Sequence, residues 1–90
     1  MAQMGMDVDL VETASKELKA RANDINTLAS QIDSLVNNLL TIWEGPDAKT
    51  FVDQWWPEHK KQLLAASSTI EGLGQSAWNN AQEQRNVSNH

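Results

Sequence analysis

The sequence contains no cysteine and no tyrosine, and only two histidines and two prolines among its 90 residues. Without cysteine, neither disulfides nor thiolate metal sites are available to stabilise a small fold. No apolar run approaches the ~20 residues of a transmembrane helix, so we expect no stable membrane insertion. Seven basic residues stand against twelve acidic ones, a net charge of −5. This balance disfavours nucleic acid and anionic membrane surfaces as partners.

The two ends of the chain show no apolar periodicity, and we expect disordered tails there, at about residues 1–6 and 85–90. The first residues have neither a basic start nor an apolar stretch, so they do not predict a cleaved signal peptide. Taken alone, this favours the cytoplasm or an export route that accepts folded protein. The 90 residues form one small domain.

Most of the first half of the chain has the heptad pattern of one long helix. Two apolar rows, three residues apart, recur every seven positions and are broken only by Arg21. They are Val11, Leu18, Ile25, Ile32 and Leu39, and then Ala14, Leu28, Leu35 and Ile42. A further row of Ala22, Ala29, Val36 and Trp43 widens the stripe on one side. We predict helix one over about residues 8–43.

Two capping schemes fit the start of this helix. In the first, Asp9 and Glu12 form a capping box. In the second, Asp7 is the N-cap and Met6 packs against Val11 as a hydrophobic staple. Either scheme starts the helix between residues 7 and 10.

The segment Trp43-Glu44-Gly45-Pro46-Asp47 separates two helical patterns and predicts a tight turn. Gly45 supplies the left-handed conformation that ends a helix, and Pro46 fits the first turn of the next helix. Asp47 is either the N-cap or an acidic residue at the positive end of helix two. Such a short connection folds the chain back, so we predict an all-α, antiparallel two-helix hairpin with helix two over about residues 47–83.

Helix two carries a second apolar stripe with two irregularities. The stripe is formed by Ala48, Phe51, Val52, Trp55, Trp56, Leu63, Ala66, Ile70, Leu73 and Ala77. Pro57 lacks a backbone donor and predicts a kink or a strained turn near residues 53–57. Gly72 and Gly74 either weaken the helix or allow close approach of another backbone.

The apolar stripes are too wide for the single seam of a lone hairpin, and a monomer would leave a long strip exposed. We therefore expect a dimer. The expected dimer seam consists of Leu18, Ile25, Leu28, Ile32, Leu35, Leu39, Trp56, Leu63 and Ile70. Of the four tryptophans, Trp43, Trp55 and Trp56 either fill the closed end of the hairpin or anchor a partner. Trp78 stands where the stripe fades.

Few residues could support chemistry. His59 lies on the stripe and is interpreted as a packed, hydrogen-bonded residue. Asp53, Glu58 and His59 lie within two turns but lack a further converging metal ligand. Residues 67–69 are hydroxyl-bearing but have no matched histidine and carboxylate. We expect no catalytic residue, no metal, no cofactor and no enzymatic activity.

The tripeptide Trp43-x-Gly45 in the turn of a cysteine-free, two-helix chain resembles the WXG family of small type VII secretion substrates. This is the early-secreted-antigen-like (Esx-like) group of actinobacteria and other Gram-positive bacteria. The resemblance extends through residues 43–48 to Phe51 and to residues 80–84. It implies a hairpin that pairs antiparallel with a copy of itself, or with a paralogue, into a four-helix bundle. It also implies a protein made in the cytoplasm and secreted as a folded dimer by an ATPase-driven type VII machine.

Members of this family with their own export signal carry tyrosine, three residues and then an acid just after helix two. Here Trp78, Gln82 and Glu83 stand at that place. Either Trp78 replaces the tyrosine in an altered signal, with Glu83 as its acid, or a partner chain supplies the signal. We expect a secreted, non-catalytic interaction protein. The alternatives are an escort subunit that pairs with a larger type VII effector and a cytoplasmic coiled-coil adaptor.

Overall fold

The computed structural model describes residues 6–88, and every regular element within that range is helical. Helix α1 spans Val8–Ile42, and helix α2 spans Pro46–Thr50. A π-helical turn at Phe51–Trp55 joins α2 to helix α3, Trp56–Ser88, so that the three form one continuous arm. The predicted hairpin is confirmed. The expected tails at residues 1–5 and 89–90 lie outside the described range.

Helix α1 begins with the second of the two capping schemes. The Asp7 carboxylate accepts a hydrogen bond from the backbone N–H of Leu10 at 3.1 Å. Asp9 and Glu12 do not form a capping box, because the helix begins at Val8 and Asp9 already lies in its first turn. Both carboxylates instead bind Arg85 on the opposite helix. The helix ends at Ile42, where extended Trp43 still donates its backbone N–H to the carbonyl of Leu39 at 2.8 Å.

The turn depends on glycine, although not through the predicted helix C-cap. Gly45 has φ 117° and ψ 169°, which is the only positive φ in the described chain. Glycine can adopt this conformation, but it is not the left-handed conformation of a helix C-cap, in which ψ is much smaller. Gly45 instead precedes α2 as its N-cap, Pro46 is the first helical residue and Asp47 lies in the first turn. The positive φ is confirmed and the C-cap is wrong.

The irregularity expected near Pro57 is a π-helical turn. The backbone N–H of Trp56 donates to the carbonyl of Phe51, five residues earlier. Pro57 follows directly and cannot donate to the carbonyl of Asp53, so a regular α-helical ladder is already interrupted at this point. The wider π turn absorbs the interruption while the arm continues into α3.

The two long helices pack along rows of small side chains. These rows are Ser15, Ala22, Ala29 and Val36 on α1, and Ser67, Gly74 and Ala81 on α3, all of them buried. The row of Ala22, Ala29 and Val36, which was expected to widen the apolar stripe at its edge, is therefore the centre of the intramolecular seam. Small residues allow the two backbones to approach closely, and the Ser67 hydroxyl donates to the carbonyl of Ala22 at 2.8 Å.

Larger side chains fill only the closed end of the hairpin. Val36, Val52 and Trp56 form a buried cluster there. Partly buried neighbours pack against it, namely Ile32, Leu39, Phe51 and Leu63. The remaining length of the hairpin has a seam of small residues and no comparable cluster within the described range, so its core is thin.

The hairpin is a rod with extents of 67 × 16 × 15 Å and a radius of gyration of 20.0 Å. A compact domain of this length would have a radius of gyration of about 12 Å. The chain exposes 6393 Å², whereas a compact protein of 10.0 kDa exposes about 5200 Å². The molecule therefore exposes much more surface than its mass requires.

Candidate interaction surfaces

Helical geometry divides the hairpin into two faces. A residue that lies four positions before or three positions after a seam residue in the sequence points about 40–60° away from the seam. Both kinds of residue lie on the same side of the helix. Because α1 and α3 are antiparallel, this rotation points toward the same side of the hairpin on both helices. We define the apolar face by these rows and the next row outward. It comprises Val11, Leu18, Ile25, Leu28, Ile32, Leu35, Leu39 and Ile42 on α1, and Trp56, Leu63, Ile70, Leu73 and Ala77 on α3.

The apolar face contains all nine residues of the predicted dimer seam, and only Trp56 among them is buried. Six of them are half-buried beside the intramolecular seam. Leu28 and Leu35 keep 49% and 68% of their surface exposed, and Ile42 keeps 73%. Within residues 6–88, nothing covers this face.

An open groove of about 490 Å³ lies where the apolar face reaches the open end of the hairpin. Its apolar lining comes from Met6, Val11, Ala77 and Val87. Asn80, Glu83 and Gln84 form the polar part of its wall. Met6 and Val11 thus line the same groove.

The opposite face carries polar contacts between the two helices. Toward the closed end, Asp33 accepts a hydrogen bond from the indole Nε1–H of Trp56 at 2.7 Å and binds the ammonium of Lys60. The hydrogen bond from Lys60 and then that from Trp56 hold the pKa of Asp33 below its ordinary value. The buried indole donor is therefore paired with a carboxylate that stays charged.

At the open end, Arg85 clamps α3 onto the start of α1. Its guanidinium lies 2.7 Å from Asp9 and 2.9 Å from Glu12, and Gln82 also donates to Glu12. The hydrogen bond from Arg85, and to a smaller degree that from Gln82, lowers the pKa of Glu12. Conversely, the pKa of Arg85 is raised. This clamp explains why α3 continues to Ser88, although a frayed tail was expected from residue 85.

The three residues considered for an export signal occupy different places. Trp78 is half-buried on the polar face, and the ammonium of Lys16 lies 5.5 Å from the centre of its ring. Gln82 is bound to Glu12, whereas Glu83 is exposed and lines the groove. Five residues correspond to a rotation of about 500° along an α-helix, so Trp78 and Glu83 point about 140° apart. The structure does not bring them together on one face.

Aromatic rings form a stack at the closed end, which we call the aromatic column and define as Phe51, Trp55 and His59. Ring centres lie 4.8 Å apart between Phe51 and Trp55, and 3.9 Å apart between Trp55 and His59. The Nδ1–H of His59 donates to the carbonyl of Trp55 at 2.8 Å, as expected for a packed, hydrogen-bonded histidine. Trp43 lies beside the column, with its ring tilted by 51° to that of Phe51 at 6.2 Å.

The tryptophans at the closed end therefore differ in exposure. Trp56 fills the core, while Trp43 and Trp55 remain 41% and 48% exposed. The spacing of four residues between Phe51, Trp55 and His59 could have predicted that these three rings are neighbours on the helix surface.

No three metal-binding side chains cluster within residues 6–88. The helices of this range also contain no segment long and apolar enough to cross a membrane. Comparisons with family models, with curated proteins and with solved structures gave no match. The structure itself defines the class of the molecule as an all-helical hairpin with one uncovered apolar face.

Proposed function

We propose that this chain is a non-catalytic interaction protein of the WXG type, which pairs through its apolar face into a four-helix bundle and is exported in that form by a type VII secretion machine. The observation that carries the proposal is the apolar face, which extends along both helices and is uncovered in the single hairpin. Covering it with a second hairpin surrounds one core with four helices.

The exposed surface supports pairing on physical grounds. Contiguous apolar patches on stable monomers seldom exceed a few hundred Å². Here the face follows most of a rod 67 Å long, and the hairpin has only a thin core of its own. Burial of the half-exposed leucines and isoleucines would contribute about 25 cal/mol per Å² of apolar surface.

The shape of the apolar face favours an antiparallel arrangement of the two copies. Leu28, Leu35 and Ile42 protrude from the closed half of α1. The same heptad row contains Ala14 and Arg21 in the open half, where the groove also lies. An antiparallel copy would place protruding residues against the hollow half, whereas a parallel copy would place them against each other.

The export part of the proposal is supported by the resemblance and by the turn that carries it. Trp43 and Gly45 lie between the two helices, Gly45 with the positive φ that glycine tolerates. Trp43 is partly exposed at the tip of the rod, where a partner or a secretion component could reach it. We assign the type VII ATPase as the receiving partner on this basis.

Molar mass in solution tests the pairing. Light scattering of the purified chain should give about twice the 10.0 kDa of the monomer at micromolar concentration. A stable, well-folded monomer would contradict self-pairing. If that monomer instead formed a one-to-one complex when co-expressed with neighbouring genes, a paralogue or a larger effector would be the partner.

Disulfide cross-linking tests the antiparallel arrangement, because the chain has no cysteine of its own. A single Leu28→Cys lies near the middle of the rod and should cross-link to its own copy. A single Ile42→Cys should not do so, but should cross-link to Asn80→Cys when the two variants are mixed. Efficient cross-linking of Ile42→Cys to itself would indicate a parallel pair.

A further inference from the structure

The closed end of the hairpin combines exposed aromatic rings with exposed carboxylates that have no ion-pair partner among the described residues. Trp43 and Trp55 are 41% and 48% exposed, although tryptophan is a large apolar residue that small proteins normally cover. Both rings are held in place, Trp55 within the aromatic column and Trp43 against Phe51. A held, exposed aromatic side chain loses little conformational entropy on binding a partner.

Carboxylates without an ion-pair partner lie in the same region. Residues 43–59 contain four acidic residues and a single lysine, Lys49, and two further lysines follow at positions 60 and 61. Lys49 lies 3.9 Å from Asp53. In the described part of the chain, Glu44, Asp47 and Glu58 have no ion-pair partner, and all three are exposed.

We infer that the closed end, formed by Trp43, the aromatic column and the surrounding carboxylates, is a docking site for a basic, arginine-bearing segment of another protein. The guanidinium group stacks on aromatic rings and forms paired hydrogen bonds with carboxylates, so it fits both components of this surface. The Trp43 ring is tilted against Phe51 rather than stacked on it, and 41% of its surface is exposed.

The π turn is a second feature that distinguishes this end. It spans Phe51–Trp55, so its first and last residues are two members of the column. A π turn contains more residues than an α turn, so side chains four residues apart lie more nearly above one another than in an α-helix. Such turns are frequent at functional sites. Here the turn contains the stacked rings of Phe51 and Trp55, 4.8 Å apart.

A second copy of the chain is the competing occupant. His59 lies fourteen residues, or two heptads, before Leu73, so both residues lie on the same side of α3. The column is therefore at the outer edge of the apolar face. Three uncompensated carboxylates are nevertheless unsuited to an apolar dimer seam, because their desolvation would oppose pairing. The docking site does not depend on the proposed dimer.

The test uses a short amphipathic peptide of arginine and leucine, with a glutamate–leucine peptide as its counterpart. The four indole N–H groups give separate ¹⁵N–¹H NMR signals. The arginine peptide should shift the signals of Trp43 and Trp55 and leave those of Trp56 and Trp78 in place. The glutamate peptide should shift none. No shift at millimolar peptide, or a larger shift at Trp78, would overturn the inference.

Two double variants separate specific docking from general attraction to an acidic protein. Asp47→Asn with Glu58→Gln removes two charges at the closed end, and Glu17→Gln with Glu71→Gln removes two exposed charges elsewhere. The first pair should weaken peptide binding about fivefold or more, and the second less than about twofold. Equal weakening would overturn the inference.

Iodide quenching and light scattering on the same sample distinguish this inference from the proposed function. A dimer in which Trp55 remains accessible to iodide supports an open docking site. A dimer in which Trp55 is protected assigns the surface to the second copy and overturns the inference, while the proposed function stands. A monomer that binds the peptide at Trp43 and Trp55 supports the inference although the proposed dimer has failed.

Discussion

A β-carbon at Gly74 would lie 2.9 Å from the carbonyl oxygen of Ser15 and 3.2 Å from the β-carbon of Leu18. Backbone atoms of α1 thus occupy the space that any other residue at position 74 needs. We predict that Gly74→Ala destabilises the hairpin by about 1–3 kcal/mol, because the helices must separate along the seam. Thermal or urea unfolding measures the change.

Gly72 provides the matched control for this substitution. It lies in the same helix two residues earlier, and an added β-carbon there would meet nothing within 4 Å. Gly72→Ala should therefore stabilise the hairpin by about 0.5–1 kcal/mol through helix propensity alone. Opposite signs for the two variants are expected. A stabilising Gly74→Ala would show that α1 and α3 are further apart than described.

The turn gives a prediction that depends on backbone conformation and not on space. A β-carbon at Gly45 would meet no atom within 4 Å, yet the φ of 117° is strained for any L-residue. Gly45→Val should therefore destabilise by about 1–3 kcal/mol, and Gly45→Ala by a similar amount. A D-alanine at position 45 of a chemically synthesised chain should be tolerated, since positive φ is ordinary for a D-residue. Equal melting temperatures for all four chains would show that the turn is built differently.

The apolar face predicts a substitution that affects pairing without affecting the hairpin. Leu35 keeps 68% of its surface exposed, so Leu35→Glu removes little packing within one chain. In a dimer it would bury a charge, and the dissociation constant should rise at least about tenfold. Sedimentation at several concentrations measures this constant. Asn37→Glu, an exposed substitution away from the face, should leave it unchanged, and an equal effect of both variants would point to general charge repulsion.

The clamp at the open end predicts how stability changes with pH. Arg85 lowers the pKa of Glu12 in the folded chain. A lowered folded pKa stabilises the fold above the unfolded value, and this contribution is lost as the pH falls through the folded pKa. Glu12→Gln should therefore be less stable than the parent at pH 7 and lose less stability on acidification below about pH 4. Parallel curves for the parent and Glu12→Gln would contradict the role of the clamp.

Trp78 allows packing and export to be separated. The ring is half-buried beneath Lys16, so Trp78→Ala should reduce stability by about 1–3 kcal/mol. We expect the amount in the culture medium to follow the amount of folded protein in the cell. Loss of secretion with unchanged stability would instead support an altered signal at Trp78. Glu83→Gln is the companion variant, because Glu83 is exposed and its replacement should not affect folding.

The hairpin itself could be predicted from the sequence because two long heptad patterns meet at Gly45 and Pro46. The packing between the helices could not. A row of Ala22 and Ala29 contributes little to an apolar stripe, yet it forms the seam because small side chains allow the backbones to approach. The more hydrophobic rows then lie to one side. Periodicity shows that these rows exist, but not whether they face the same chain or another one.

The candidate surfaces were predictable to a lesser degree. All nine residues of the predicted dimer seam lie on one continuous face, because sequence spacing determines the side of a helix on which a residue lies. The clamp was missed because Arg85 and Glu12 are separated by 73 residues and meet only through the register of the hairpin. That register depends on the length of the turn and of the π turn together, and neither is specified by periodicity.

The slender shape of the hairpin has a consequence for the export proposed above. A body of 67 × 16 × 15 Å travelling along its long axis presents a cross-section hardly wider than one helix pair. In the proposed four-helix bundle two hairpins pack face to face, so the cross-section is two helices wide in both directions. A conduit for the folded pair would then be at least about 20–24 Å across, since one helix with its side chains is about 10–12 Å wide. The aperture of the proposed transporting machine would thus be a geometric criterion that distinguishes passage of the pair from passage of an unfolded strand.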